Sequence, residues 1–361
     1  MKILIVNPII YTSETAEIKK ANTIKDTMIY DLCLAFLQQG HNVELVACTQ
    51  FKPQCAENYP FKVFWLDAKL KKICKPNVLP YCPEIKKIIK ENKYDLIISS
   101  EVFSLNSLIL AIKCKKNLIV WHELAKHNRI MNKIPSKLWY NIVARIFFRN
   151  VLIVPRSIEA KNFISKYCNN VSSEIIDHGV NLNKFVFCME KDNFFVVSSQ
   201  LIERKRINLI IDKFAEYLNK YDDTAKLIII GDGEEKESLV LQVKNLNIDK
   251  NVIFTGRLNH KDLIGYLMKA KAMLVYTKKD NNMISIVESI AVGTPVITTC
   301  VPYNSSYIKK HALGIADDSW GADALNEIAC NDRYIKNCFE YRENLSTEKK
   351  VQQFINQSQR K

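Results

Sequence analysis

The first half of the chain alternates short apolar runs with stretches of helical periodicity. The apolar runs are continuous and rich in Val, Ile and Leu, which is typical of parallel strands that are covered on both faces. They predict strands at residues 2–6, 42–47, 62–65, 95–99, 117–121, 151–154 and 174–176. The helical pattern predicts helices at residues 23–39, 83–92, 103–113, 136–148 and 158–166. This succession of strands and helices favours a doubly wound parallel sheet.

The same pattern starts again after a polar segment at residues 181–192. Strands are predicted at residues 194–198, 226–230, 251–254, 273–276 and 295–298. Helices are predicted at residues 207–219, 235–246, 261–269, 285–292 and 321–329. We therefore predict an α/β protein with two Rossmann-like doubly wound lobes, residues 1–188 and 189–345, with a ligand cleft between them.

Composition narrows the class of protein. A chain of 361 residues with 48% hydrophobic residues fits two globular domains and excludes a mostly disordered protein. No apolar run approaches about 18 residues, so no membrane span is predicted. The apolar run at residues 3–6 is too short for a signal peptide. Eleven cysteines without Cys-x-x-Cys or zinc-like spacing favour reduced thiols, and hence a cytoplasmic protein.

The net charge of +14 is concentrated in the first half, where residues 1–180 hold 26 Lys and Arg against 15 Asp and Glu. Between Leu124 and Arg156 the chain has basic residues and no acidic one: Lys126, Arg129, Lys133, Lys137, Arg145, Arg149 and Arg156. Aromatic residues are interleaved with them: Trp139, Tyr140, Phe147 and Phe148. One interpretation is a helix that lies on the anionic inner face of the cell membrane. The other is a packed helix whose Lys and Arg side chains reach the solvent. A nucleic-acid partner is not expected, because no recognition motif accompanies the charge.

The most informative segment is residues 279–297, KDNNMISIVESIAVGTPVI. Asp280 and Glu288 are eight positions apart, and Gly293-Thr294-Pro295 follows. This segment resembles the signature of retaining glycosyltransferase family 4, which has the GT-B fold. Other segments are similar to motifs of that family in the same order: residues 178–181, 200–205, 227–233 and 254–257. The resemblance implies an acceptor-binding first lobe, a donor-binding second lobe, and a last helix at about 346–361 that packs on the first lobe.

The resemblance also implies an activity, the transfer of a hexose from a UDP- or GDP-sugar to a glycan or lipid-linked glycan, with retention of configuration. Such enzymes act in polysaccharide or lipopolysaccharide biosynthesis. In this reaction negative charge grows on the leaving phosphate, and cations fixed beside it lower the barrier. Lys205, with Arg204 or Arg206, fits that task, and the helix that begins near Ser285 adds a partial positive charge. The alternative for residues 203–206 is a solvated run of charges.

The remaining donor-site residues are taken from the same motifs. Glu288 is placed to accept hydrogen bonds from two ribose hydroxyls, and Asp280 is expected nearer the donor sugar as a catalytic residue. The other expected donor-binding residues are Gly256 and Arg257 in a base-binding turn, and Asn281 and Asn282 in the sugar pocket. The alternatives are a helix-terminal glutamate and ordinary loop asparagines.

The first lobe offers candidate residues where two predicted strands end. Trp121-His122-Glu123 ends one strand, and Glu101 follows another. His122 is the candidate catalytic residue that orients or deprotonates an acceptor hydroxyl. Glu101 and Glu123 are candidate acceptor-binding residues. A structural role for these side chains is the alternative.

Three departures from the family pattern motivate a second hypothesis. Asp280 stands where Glu is usual, Gln200 where Arg is expected, and residues 7–22 contain no Gly. The alternative function is therefore a non-catalytic, sugar-nucleotide-binding partner of another glycosyltransferase. No Asp-x-Asp triplet or metal-ligand spacing occurs in the sequence, so neither a cofactor nor a dedicated metal is expected.

Overall fold

The computed structural model describes residues 1–11, 22–72, 74–75, 77–127, 130–280 and 282–359. Two compact units divide the chain: Met1–Gly179 together with the segment from Thr347 onward, and Val180–Ser346. The division after Gly179 differs from the predicted one after residue 188. Val180 already belongs to the second unit, because its N–H donates to the carbonyl of Leu345 and its side chain lies in that unit's core.

Each unit contains one parallel sheet. Within the described residues the strands are β1 Lys2–Val6, β2 Asn42–Cys48, β3 Lys62–Leu66, β4 Leu96–Ser100, β5 Leu118–His122, β6 Leu152–Pro155, β7 Phe194–Ser198, β8 Lys226–Ile230, β9 Val252–Gly256, β10 Ala272–Leu274, β11 Val296–Thr298 and β12 Gly314–Ala316. The strand orders are β3-β2-β1-β4-β5-β6 and β12-β11-β10-β7-β8-β9. Both orders begin at a central strand and wind outward in two directions, so the predicted doubly wound fold is confirmed.

Helices connect the strands. In the described part of the chain they are α1 Met28–Gln38, α2 Ile85–Glu91, α3 Leu105–Lys113, α4 Ile134–Leu138, α5 Arg145–Phe147, α6 Ile158–Ile164, α7 Ile207–Lys220, α8 Lys236–Asn245, α9 His260–Lys269, α10 Ile284–Ala291, α11 Asn304–His311, α12 Ala322–Ala329, α13 Arg333–Tyr341 and α14 Thr347–Gln359. A π-type turn at Trp139–Ala144 joins α4 to α5, so the chain is helical from Ile134 to Phe147.

The predicted strand at residues 174–176 is not formed. Ile176 instead donates its N–H to the carbonyl of Pro155, and its own carbonyl accepts the indole N–H of Trp121 at 2.6 Å. The backbone groups that a further strand would use are therefore taken by a loop contact and a side chain.

The last helix, α14, completes the core of the first unit. Val351 and Phe354 are fully buried in that core. The rings of Phe354 and Trp121 are perpendicular, with their centroids 5.3 Å apart. Burying a side chain of this size stabilises the fold by about 1.5–3 kcal/mol. An ion pair between Lys350 and Asp177, both buried, adds a polar contact beneath the helix.

Two glycines bring loops close together at the carboxyl edge of the second sheet. A Cβ on Gly231 would lie 1.8 Å from the carbonyl oxygen of Ser199, and one on Gly233 would lie 2.2 Å from that of Leu201. Any larger residue would push these segments apart. The Leu201 N–H also donates to the carbonyl of Asp232, so the loop after β7 is braced against the loop after β8.

Candidate active site

The loop after β7 carries the predicted phosphate-binding cations. A single 3₁₀ turn, Glu203–Lys205, ends at Arg206, whose backbone is left-handed with a φ of 47°. Helix α7 starts at the next residue. This geometry places Arg204 and Lys205 beyond the carboxyl end of β7, where ligands bind in open parallel sheets.

Asp280 lies between these two cations. Its Oδ1 is 2.8 Å from the Arg204 guanidinium, and its Oδ2 is 2.9 Å from the Lys205 ammonium. The Thr277 hydroxyl also donates to Oδ2. Burial alone would raise the pKa of Asp280, but the Lys205 charge and the hydrogen bonds from Thr277, Lys205 and Arg204 hold it below its ordinary value. The cluster of two cations and one carboxylate keeps a net positive charge, which suits a diphosphate.

Glu288 lies in α10, three residues after Ser285. It is the fifth residue of the helix, so it stands beyond the first turn and does not serve as a first-turn partner of the helix dipole. Its side chain is mostly buried, and the Nε2 of His260 donates to its Oε1 at 2.9 Å. The sequence pattern did not single out His260.

The loop before α10 is fixed by a buried asparagine that the sequence pattern also missed. The Asn304 side chain accepts the Met283 N–H through Oδ1 at 2.8 Å and donates through Nδ2 to the side-chain Oδ1 of Asn282 at 2.8 Å. The side-chain Nδ2 of Asn282 is buried and has no hydrogen-bond partner among the described residues, which suits an oxygen of a ligand or a water. Asn281 lies outside the described residues.

The predicted base-binding turn follows β9. Gly256 has a φ of 71°, in the left-handed region that favours glycine, and its carbonyl accepts the Gly231 N–H. Arg257 is exposed and leads through Asn259 into α9. The structure thus places this turn beside the loop that carries Gly231 and Gly233, and shortly before His260 in the chain.

In the first unit, Glu101 directly follows β4 and lies beside His122, the last residue of β5. Glu101 has a left-handed backbone with a φ of 67°. Its Oε1 accepts the N–H groups of Glu123 at 2.5 Å and Leu124 at 3.3 Å. Its Oε2 lies 2.9 Å from His122 Nδ1, a close contact without the direction of a good hydrogen bond.

His122 is completely buried, with 0% of its side chain exposed. Its ring is stacked against Phe163 and edge-to-face with Tyr140, and both ring centroids lie 6.3 Å from that of the imidazole. The role of His122 in orienting or deprotonating an acceptor hydroxyl stays a prediction, and it requires access to an imidazole that is fully buried in this structure. The imidazole lies in close contact with the Glu101 carboxylate.

Glu123 is partly exposed and belongs to a second charge cluster. Its Oε2 accepts from Arg156 at 3.0 Å, and its Oε1 lies 3.8 Å from His178 Nε2. The Arg156 guanidinium lies over the Trp121 ring at 3.7 Å. Burial would raise the pKa of Glu123, but His178, Arg156 and His122 lower it to about 2. The basic stretch and the motif at residues 178–181 contain Arg156 and His178, but neither pattern indicates that these side chains lie beside Glu123.

The basic stretch forms a helix whose side chains fall into three columns with a spacing of four residues. The inner column is buried: Ser136, Tyr140, Ala144 and Phe148. A second column is aliphatic and more than half exposed: Ile134, Leu138, Ile142 and Ile146. A third is exposed and mostly basic: Lys137, Asn141 and Arg145, with the exposed Lys133 and Arg149 just outside the helix. The π-type turn holds more residues per revolution than an α-helix, so residues four apart stay on one face. Arg129 lies outside the described residues.

The aromatic residues of this stretch mainly face the interior. Tyr140 and Phe148 are fully buried, and the Trp139 indole donates to the carbonyl of Val102 at 2.9 Å. The interpretation as a packed helix therefore holds for the aromatic side, while the aliphatic and basic columns face solvent. Among the described helices, none has the length and apolar character needed to cross a bilayer.

Two family models match the chain in succession. The model of the glycosyltransferase family 4 matches residues 26–184, and that of the glycosyl transferases group 1 matches residues 183–350. The first match falls almost wholly in the first unit, and the second begins close to the start of the second unit.

The chain is also similar to curated bacterial enzymes. An alpha-monoglucosyldiacylglycerol synthase of Streptococcus pneumoniae is 26% identical over 253 residues, which cover 63% of this chain and 56% of that enzyme. An O-antigen chain mannosyltransferase of Salmonella typhimurium is 26% identical over 202 residues, which cover 52% of this chain and 56% of the relative. The chain thus spans little more than half the length of these relatives.

A solved structure shares the fold over the whole chain. The protein HepE of Anabaena, solved in complex with UDP and glucose, matches with a TM-score of 0.65 at 14% identity, and the match covers 99% of both chains.

Proposed function

Since this chain belongs to glycosyltransferase family 4, with a group 1 glycosyltransferase segment in its second half, we propose that it moves a hexose from a UDP- or GDP-sugar to a glycan or lipid-linked glycan. Its two Rossmann-like units have the GT-B fold of such enzymes. In this proposal the configuration at the anomeric carbon is retained, and the product belongs to a polysaccharide or lipopolysaccharide.

The observation that carries the proposal is the cluster of Arg204, Lys205 and Asp280, with Glu288 in the following helix. Two cations held by one carboxylate form a prearranged site for the diphosphate of the donor. Glu288 provides carboxylate oxygens for the ribose hydroxyls. The UDP bound by the Anabaena structure supports a nucleoside diphosphate as the ligand class.

The proposed reaction breaks the bond between the anomeric carbon and the phosphate oxygen, and forms a bond from that carbon to an acceptor hydroxyl oxygen. The acceptor proton goes to the departing phosphate. Lys205 and Arg204 stabilise the charge that develops on this phosphate, so the proposal needs no metal ion. Asp280 keeps both cations aimed at the phosphate and stays close to the transferred sugar.

On the acceptor side, the proposal assigns contact with the acceptor to Glu123, which is partly exposed. Glu101 fixes the backbone at Glu123 and Leu124 through two hydrogen bonds, and the buried His122 holds Glu101. This assigns His122 a supporting role in the reaction, in place of direct proton transfer.

We further propose that the protein works at the inner face of the cell membrane, attached through the helix at residues 134–147. Its aliphatic column is exposed beside its basic column, the arrangement expected of a helix that lies in a lipid interface. The diacylglycerol-linked product named for the Streptococcus relative is consistent with an acceptor held in lipid.

The donor site is tested with purified protein and a panel of UDP-, GDP-, ADP- and dTDP-sugars, first by thermal shift and then by transfer or hydrolysis of the donor. A donor at 100 times its dissociation constant is expected to stabilise the protein by about 2.7 kcal/mol. Binding followed by release of the sugar supports the enzyme. Binding without turnover under any acceptor condition favours the non-catalytic sugar-nucleotide-binding partner instead.

Membrane attachment is tested by sedimentation with vesicles of anionic phosphatidylglycerol. Lys133→Glu, Lys137→Glu and Arg145→Glu together are expected to release the protein. The matched control changes three exposed lysines elsewhere in the same unit, Lys86→Glu, Lys90→Glu and Lys113→Glu, with the same total charge change. If both variants are released equally, the net charge of the protein explains the effect, and a specific role for this helix is contradicted.

A further inference from the structure

His260 contacts the carboxylate that the proposed function assigns to the ribose. The two residues are 28 positions apart, in helices α9 and α10, and their facing atoms are 2.9 Å apart. About 30% of the His260 side chain is exposed, against 11% of the Glu288 side chain. A mostly buried carboxylate is costly unless hydrogen bonds compensate for the lost water, so this contact has an energetic role.

The local structure holds the imidazole in this place. The Asn259 side chain caps α9 by accepting the Asp262 N–H at 3.0 Å, so the helix begins at His260. The Phe185 ring, itself buried, stands edge-on to the imidazole at 6.1 Å. The base-binding turn at Gly256 and Arg257 lies directly before this cap. His260 therefore connects the predicted nucleobase turn to the predicted ribose carboxylate.

The hydrogen-bonding capacity of the carboxylate decides what His260 does. A carboxylate accepts but does not donate, so His260 Nε2 carries the proton in this contact. In this contact the imidazole N–H takes one lone-pair position of Oε1. A carboxylate has about four lone-pair positions, so room remains for two hydroxyl donors from a ligand.

We infer that His260 is a positioning residue of the donor site, whose Nε2–H orients the Glu288 carboxylate towards the 2′- and 3′-hydroxyls of the donor ribose. This inference rests on the proposed function, because it takes a nucleoside diphosphate as the ligand of the second unit. It adds a residue that does not touch the transferred sugar. Its loss should weaken nucleotide binding and leave the chemical step nearly unchanged.

The first experiment measures the dissociation constant of UDP or GDP by calorimetry, using whichever nucleotide the wild type binds more tightly. His260→Ala is expected to raise the dissociation constant about tenfold, as the loss of one hydrogen bond to a charged group does. His260→Gln returns an N–H donor at a similar distance and is expected to recover most of the affinity. In turnover assays, His260→Ala should raise the KM for the donor and change kcat by less than about twofold.

The matched control is His311→Ala. His311 is an exposed histidine of the same unit that contacts the Tyr341 ring, away from the proposed contact. It is expected to bind the nucleotide like the wild type. Thermal melting of all variants identifies any that fail to fold, and His260→Gln keeps the test open if His260→Ala is unstable.

The second experiment separates positioning from a structural effect. With a 2′,3′-dideoxynucleoside diphosphate, the hydroxyls that Glu288 would bind are absent. Wild type and His260→Ala should then bind with equal affinity. In a double-mutant cycle, His260→Ala should add little to Glu288→Gln, because both changes disturb the same contact.

The outcomes distinguish the inference from the function on which it rests. If Glu288→Gln weakens nucleotide binding but His260→Ala does not, the inference is overturned and the proposed function stands. An equal loss of affinity for the ribonucleotide and the dideoxynucleotide would also overturn it, since His260 would then act on the fold. If the wild type binds no nucleoside diphosphate, the proposed function itself fails.

Discussion

Both units contain ion pairs, but the surroundings of the paired side chains differ. In the first unit, Lys350 and Asp177 are buried as a pair, and Arg156 is buried between Glu123 and Trp121. In the second unit, Asp280 pairs with two cations of different exposure: the Arg204 side chain is about one third exposed, and the Lys205 side chain is 11% exposed. The two units have sheets with the same strand order, but their ion pairs differ in how far the side chains are buried. A buried charge needs its partner for the fold to be stable, whereas a partly exposed cation can still bind a ligand.

The largest expected effect comes from breaking the buried pair of the first unit. Lys350→Met leaves the Asp177 carboxylate buried without its partner, and should lower the free energy of unfolding by about 3–5 kcal/mol. Urea denaturation followed by tryptophan fluorescence measures this, because Trp65, Trp121 and Trp139 lie in the first unit and only Trp320 lies in the second. Donor binding by the folded protein should not change.

The double variant Asp177→Asn with Lys350→Met is the control for that result. It removes both charges together, and should recover much of the lost stability because no unpaired charge is left. If the double variant is as unstable as the single one, packing of the lysine stem explains the loss, and the contrast between the units weakens.

The next effect belongs to the second unit and should appear in turnover. Lys205→Ala removes a cation from the proposed leaving phosphate and should lower kcat about 10²–10³-fold. Its cost in unfolding free energy should be only about 1–2 kcal/mol, because Arg204 and Thr277 still hold Asp280. Steady-state kinetics and urea denaturation on one preparation measure both. Wild-type turnover by Lys205→Ala would instead support the alternative that residues 203–206 are a solvated run of charges.

A smaller effect is expected from Glu123, through pH. Its folded pKa of about 2 lies below its ordinary value of 4.5, so its contribution to stability is complete above pH 4.5 and is lost as the pH falls towards 2. Glu123→Gln should flatten the dependence of stability on pH within this window. Melting temperatures between pH 2 and pH 6 test this. A wild-type slope equal to that of the variant would show that Glu123 does not carry the linkage.

The smallest effect is expected at an exposed pair of the second unit. The Lys220 ammonium lies 2.8 Å from Asp323, with both side chains mostly in solvent. Lys220→Ala should leave the melting temperature unchanged within error, because water and salt screen such pairs. A clear loss of stability would mean that exposure does not separate structural pairs from dispensable ones in this chain.

The sequence predicted most of the fold because strands covered on both faces must be apolar throughout. Residues 2–6, 194–198 and 226–230 form strands with the predicted bounds. The strand Gly314–Ala316 and the helix before it were missed. A strand of three residues is too short to give a periodic signal. In the helix before it, Lys309, Lys310 and His311 interrupt the apolar pattern. These elements form through tertiary contacts that local pattern does not contain.

Prediction of the site was limited by distance along the chain. Motif spacing placed Asp280 and Glu288, but could not reveal that Asp280 contacts Lys205 or that His260 contacts Glu288. Both contacts join residues that only the folded sheet brings together. The burial of His122 was equally invisible, because the rings of Tyr140 and Phe163 reach it from other segments. Local pattern identified side chains with useful chemistry, and packing determined which of them are buried.

The return of helix α14 to the first unit has a consequence for synthesis on the ribosome. Domains usually fold in the order in which they emerge, the N-terminal one first. Here the first unit emerges first, yet its core lacks Val351 and Phe354 until the last thirteen-residue helix has been made. The second unit, Val180–Ser346, is by then fully translated. A nascent chain stalled before Thr347 would therefore carry a complete second unit and a first unit with Phe36 and Trp121 uncovered, a surface that chaperones bind and proteases attack.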